Sequence, residues 1–245
     1  MNFTTRTLIL AITAAFALSA CGNKEAETAS AGSVSDIAKV DEKPVVAKAA
    51  ESELPKGDKA KPLDQYTELN SGAQLSQAYY AFSGLPVPYE KLAEQTSVDY
   101  RQTQDSFKKQ DILKALQPKL EQDIAALKKS PYLMLRTNIS LKNFDMQRKA
   151  FPVEGFGPNS YIGYNDSDSV LIFSNTDAFQ AFPQADETKA RELEAMVSQN
   201  PYAKWPTRAY LFVQDAKDIN GRRSVRAQLL KLVVETPDGK PLFEI

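Results

Sequence analysis

The chain has no histidine and a single cysteine in 245 residues. Without imidazole there is no Ser-His-Asp or Cys-His nucleophile system, and no zinc site built on histidine. One thiol cannot make an intrachain disulfide framework. Charge is also in short supply as a net quantity, with 30 basic and 31 acidic side chains for a formal net charge of −1. That balance gives no polybasic surface for nucleic acid or anionic lipid. Long apolar runs are missing too: Leu8 to Leu18 spans 11 residues, against about 20 for a membrane-crossing helix. No fixed-period repeat suggests a solenoid.

The short apolar run has the length of a secretory h-region and follows a start that carries Arg6. It closes on Leu18-Ser19-Ala20-Cys21. These four residues resemble the lipobox of bacterial lipoproteins. The resemblance implies cleavage before Cys21, a diacylglycerol on its sulfur and an acyl chain on its new amino group. Lipid attachment at Cys21 explains why the one thiol stands there, since a free thiol is a liability in an oxidising compartment. Two or three acyl chains hold a membrane firmly where one binds marginally. Gly22 follows in place of the aspartate that retains many lipoproteins in the inner membrane, so the expected address is the outer membrane of the cell envelope.

Residues 22–62 contain no aromatic side chain and are rich in Ala, Ser, Glu and Lys. Such a segment cannot bury enough apolar surface to offset the entropy of ordering. It is expected to be a disordered tether, giving three parts: signal peptide 1–20, lipidated Cys21 and tether 21–62, and one globular domain 63–245.

Within the domain, Leu75, Ala78, Tyr79 and Phe82 lie at helical spacing between a Ser71 cap and a Gly84 stop. A short helix follows in PVPYEKLAEQ. Leu113, Leu116, Leu120, Ile124 and Leu127 then stripe a longer segment that Pro118 should kink or divide. The second half turns to strands. Leu133, Leu135, Ile139 and Leu141 alternate with Arg136, Asn138 and Ser140 as in a half-buried strand. SYIGYNDSDSVLIFSN predicts a hairpin, and residues 208–245 predict a three-stranded meander turning at Asn220-Gly221 and Pro237-Asp238-Gly239. The parity of buried positions switches after Leu229, which predicts a bulge there or burial on both faces. Between hairpin and meander, helix is expected with caps at Thr176 and Asp186. The sum is an α+β fold: an antiparallel sheet of five or six strands with N-terminal and inserted helices packed on it.

The succession FKKQDILKALQPKLEQDI, LKNFDMQRKAFPV and RAQLLKLVVETPDGKPL resembles a family of exported bacterial domains of unassigned function, over about Ser106 to Ile245. That resemblance implies no activity. Three chemistries need no histidine. Ser106 and Lys109 sit one helical turn apart, as in Ser-Lys enzymes, but lack companion SDN or KTG elements, so two solvated residues at a helix head are expected. Paired carboxylates cleave glycosidic bonds, yet Asp and Glu are spread along the chain. Asn165 to Ser169, NDSDS, offers hard oxygen ligands without the glycine and distal glutamate of a calcium loop, so it is expected to be a plain turn. Tyr202, Lys204, Trp205 and Arg208, and Tyr161 and Tyr164 beside NDSDS, suit a stacking surface, while Trp205 before a strand suits a core anchor. The arginines of NGRRSVR are expected to be solvated at a hairpin tip. No catalytic, cofactor or metal residue is assigned, and no cofactor is expected. The expected role is binding, structural or accessory, in a protein held to the membrane by its lipid and joined by an envelope protein or glycan partner. The alternative is an envelope hydrolase using carboxylates or the Ser-Lys pair.

Overall fold

A computed structural model describes residues 53–236 and 238–245. The signal segment, Cys21 and most of the expected tether lie outside the described residues. The frame consists of three long antiparallel strands: β2 (Tyr132–Leu141), β7 (Trp205–Ile219) and β8 (Arg222–Glu235). Asn220 and Gly221 join the last two with φ of 53° and 74°, the double left-handed geometry of a two-residue hairpin. Six short strands complete the sheet: β1 (Thr67–Glu68), β3 (Ala150–Glu154), β4 (Tyr161–Gly163), β5 (Ser169–Phe173), β6 (Ala181–Pro183) and β9 (Pro241–Glu244). The order is β4-β5-β8-β7-β2-β3-β6, with β1 added to β2 and β9 to β8.

The fold is α+β as expected, but the sheet is mixed and has nine strands. β1 runs parallel to β2 and β5 parallel to β8. The extra strands are two to five residues long, too short for a period of two to show in sequence.

The predicted parity switch is a bulge. Tyr210 pairs with Lys231 while Leu211 pairs with Leu229, which leaves Leu230 as the extra residue. A second shift leaves Gln214 extra in β7. Val225, Ala227, Leu229, Leu232 and Val234 therefore all join one core although their spacing changes. That core is covered by α1 (Gly72–Ser83), with Leu75 and Ala78 fully buried. Ser71 caps α1 by accepting from the Gln74 N–H, and Gly84 ends it at φ 70°. Helices α2 (Tyr89–Thr96), α3 (Val98–Gln102) and α4 (Ser106–Lys129) form a further layer. Pro118 lies inside α4, which is one 24-residue helix and not two segments.

The opposite face of the sheet carries Tyr132, Tyr210 and Phe212, and residues 54–66 cross it as a strap. Gly57 approaches so closely that a Cβ there would stand 2.5 Å from the Phe212 Cβ. Its N–H donates to Gln228 Oε1 (2.8 Å), the Asp58 N–H donates to the Tyr132 hydroxyl (3.0 Å), and Gln214 Nε2 donates to the Pro55 carbonyl (2.7 Å). Tyr66 meets the rings of Tyr132 and Tyr210 edge-on at 5.4 and 5.0 Å. Burial, followed by the neighbouring Tyr132, Asp58 and Tyr210, pushes the Tyr66 phenol up to about 12. Residues 54–62, which fall within the expected tether, lie on the sheet. Their composition hides this because the sheet supplies the hydrogen-bonding side chains.

The helix expected from Thr176 is also corrected. Thr176–Phe179 is a single 3-10 turn that leads into β6, and α5 (Glu187–Gln199) starts after Asp186, which accepts from the Thr188 and Lys189 N–H groups. Thr176 caps nothing and is buried. Its neighbour Asn175 explains the local structure. β5 and β9 share the free edge of β8 and leave a gap at Leu229. The Asn175 amide fills it, donating from Nδ2 to the Leu229 carbonyl and accepting the Leu229 N–H at Oδ1, both at 2.8 Å. One side chain does the work of a missing peptide unit. Asn175→Ala should cost about 1–3 kcal/mol by leaving buried strand groups unpaired, read as a lower urea midpoint with an unchanged m-value.

Candidate functional site

The site is a cleft where α1 and α4 meet the edge of the sheet at β1. β1 adds to the free edge of β2, and the Leu69 N–H continues the ladder to the Met134 carbonyl at 2.8 Å. The chain then turns into α1. Gln74 Oε1 accepts from the Asn70 N–H (2.8 Å) while its own N–H bonds the Ser71 hydroxyl (3.3 Å), a close relative of the capping box. This fixes the angle at which α1 leaves the strand. The C-terminal half of α4 supplies the facing wall through Ala126, Leu127 and Ser130. The space enclosed is about 350 Å³.

Aliphatic side chains, Leu69, Leu127 and Leu133, line its sides. Charged pairs stand at its rim: Lys119 Nζ with Asp123 Oδ2 at 2.8 Å, and Glu68 Oε1 with Arg136 Nε at 3.0 Å. At its base lies Gln77, 5% exposed. Among the described residues its amide has no side-chain hydrogen-bond partner. Its nitrogen and oxygen are not among the solvent-excluded unpaired polar atoms of the described residues, so the amide stays open to the cleft and to water there. Sequence reasoning missed it, although a signal exists: Gln77 lies four residues after Ala73 and four before Ala81, all three buried, so it is a polar residue on an inward face.

A larger groove, about 640 Å³, runs along α5 past Phe144 and Met146. Its two carboxylates already have partners. Glu194 accepts from Asn143 Nδ2 (2.7 Å), the Phe144 N–H (2.8 Å) and the Ser198 hydroxyl (3.0 Å), while Arg191 pairs with Glu187.

The residues singled out from sequence fall as follows. Ser106 is exposed at the first position of α4, directly after the Asp105 cap. Lys109 turns away to Glu94 (3.6 Å) and the Tyr100 ring (4.6 Å). NDSDS is the turn between β4 and β5, and several of its polar groups bind neighbouring side chains. Asp168 holds both Lys91 and Arg223, the Asp166 carbonyl accepts from Gln95 Nε2, and Ser167 shares a hydrogen bond with Ser76. Gly72 makes this contact possible, because a Cβ there would come within 2.8 Å of the Ser167 Cβ.

Trp205 is 7% exposed and belongs to the core, whereas Tyr202 is fully out in solvent. Lys204 donates to the Ser140 hydroxyl (2.8 Å), and Arg208 pairs with Glu235 (2.6 Å). These four side chains do not converge. Tyr164 donates to the Leu69 carbonyl (2.9 Å) and so braces the cleft from behind, while Tyr161 stacks under Arg222 (4.7 Å). The hairpin arginines are therefore engaged rather than free: Arg223 holds Asp168 and lies near the rings of Tyr79 and Tyr80, and Arg226 pairs with Asp215.

Two carboxylates report on this packing. Burial alone would raise Asp168 and Glu194. Lys91 and Arg223 outweigh it at the first, and Asn143, the Phe144 N–H and Ser198 outweigh it at the second, so both lie below their ordinary values of 3.8 and 4.5. A carboxylate with a lowered folded pKa contributes stability that is complete above its unfolded pKa and lost as pH falls through the folded value. Urea midpoints of the wild type should therefore drop through the acid range. Asp168→Asn and Glu194→Gln should each lower the neutral-pH midpoint and flatten that acid limb. Comparison of the chain with protein-family profiles, with curated proteins and with solved structures returns no match.

Proposed function

We propose that this chain is a lipid-anchored binding protein of the bacterial cell envelope, held at the outer membrane through Cys21 and offering the cleft between α1, α4 and β1 to a ligand. The near-neutral charge suits a body that neither sticks to nucleic acid nor lies flat on anionic lipid. The Leu18 to Cys21 motif behind a short apolar run supports the anchor.

The observation that carries the binding role is Gln77. A carboxamide both donates and accepts hydrogen bonds but does not titrate near neutral pH, so a site built on it holds a molecule without transferring its protons. The Ser-Lys alternative draws no support from the geometry, with Lys109 occupied by Glu94 and Tyr100.

The test uses the full mature chain extracted from envelopes in detergent. Its intact mass should show loss of residues 1–20 and the addition of acyl groups at Cys21. Its amide spectrum should shift on adding the dialysable fraction of an envelope extract, with the changes confined to α1, β1 and the C-terminal half of α4. A free Cys21 thiol would refute the anchor. A spectrum unmoved by every extract fraction would refute the binding role.

A further inference from the structure

We infer that the cleft takes a small zwitterion, an α-amino acid or dipeptide with an aliphatic side chain. This rests on the binding role just proposed and gives it a ligand class. Size sets the first limit. A volume of about 350 Å³ equals roughly a dozen water molecules at about 30 Å³ each, enough for one or two amino-acid residues and too little for a nucleotide pair or a packed helix.

Charge sets the second limit. The rim carries one ammonium, Lys119, and two carboxylates, Asp123 and Glu68. A phosphate or dicarboxylate would find one lining cation, Lys119, already paired with Asp123, while Arg136 beside the rim is taken up by Glu68. A sugar would find no aromatic ring among the lining residues to stack on. A molecule carrying both an ammonium and a carboxylate matches the rim at each end. The Lys119–Asp123 pair is an i,i+4 contact with side chains 71% and 36% exposed, so it holds its partners weakly and exchanges them readily. On binding, Lys119 swings to the ligand carboxylate and Asp123 to its ammonium.

Shape and polarity set the third. Leu69, Leu127 and Leu133 offer an aliphatic wall for an apolar side chain. Gln77 in the lining meets a peptide group or a carboxylate oxygen, the ligand taking the place of water at an amide that is open to the cleft.

The experiment titrates the full mature chain in detergent with L-leucine and L-alanyl-L-leucine, following amide shifts, with N-acetylglucosamine and inorganic phosphate as controls. Saturable shifts at α1 and α4 are expected with the first two and none with the controls. Gln77→Leu should weaken binding about tenfold or more, the loss expected when one well-placed hydrogen bond goes. Lys119→Ala, an exposed change that leaves the fold intact, should weaken it severalfold, yet should not weaken binding of L-leucinamide, which has no carboxylate. Absence of saturable shifts with leucine and the dipeptide up to about 10 mM would overturn the inference. If the dialysable envelope fraction still moved the cleft in that case, the ligand class would be wrong and the binding role would stand. Equal affinity in the wild type, Gln77→Leu and Lys119→Ala would also overturn it.

Discussion

Two extra residues, Leu230 in β8 and Gln214 in β7, keep the inward face of the central hairpin inward along its whole length. A strand changes face at every residue, so an uninterrupted ladder fixes parity from end to end. Here Val225, Ala227 and Leu229 precede the β8 bulge and Leu232 and Val234 follow it, and all five reach the same core. Both extra residues turn to the other side. Leu230 approaches Gly57 and Gln214 holds the Pro55 carbonyl. The bulges thus serve two layers: they preserve the helix-covered core and supply the grip for the strap.

That arrangement positions the cleft. α1 is pressed between the sheet and the outer helices, and nine of its twelve residues are buried. A helix so enclosed has no solvated face on which to place a polar side chain at no cost, yet Gln77 lies there. The Ser71–Gln74 cap and the Tyr164 bond to Leu69 lock the strand-to-helix turn beside it. A rigid turn, an aliphatic wall and one amide open to the cleft make a preorganised pocket, which binds without spending much ligand affinity on ordering the protein.

Much of the frame was legible in the sequence because the features involved are local. Ser71 and Gly84 bound α1, Asp186 starts α5, Asn220-Gly221 makes the central hairpin, and the parity switch after Leu229 marks the bulge. Trp205 as a core anchor and NDSDS as a turn follow from the same short-range rules. What escaped depends on partners far along the chain. The parallel pairing of β5 with β8 joins residues about 55 positions apart, and strands of two to five residues carry no period. The strap was hidden because its hydrogen bonds come from Gln228, Gln214 and Tyr132 on the sheet. Gln77 stood in plain view as a polar letter on an apolar helix, but only the position of α4 shows that its amide meets open space instead of a partner.

The most direct test of this scheme is near-UV circular dichroism of a chain lacking Leu230, set against Leu230→Ala. Shortening the side chain removes one buried leucine, a loss of about 2–5 kcal/mol, and should leave a weakened but native aromatic spectrum. Deleting the residue removes the bulge and turns one half of β8 over, sending either Val225, Ala227 and Leu229 or Leu232 and Val234 out of the core. The account predicts loss of the native aromatic signal for the deletion alone. A deleted chain with the wild-type spectrum and stability would show that the bulge does not hold the two layers in register.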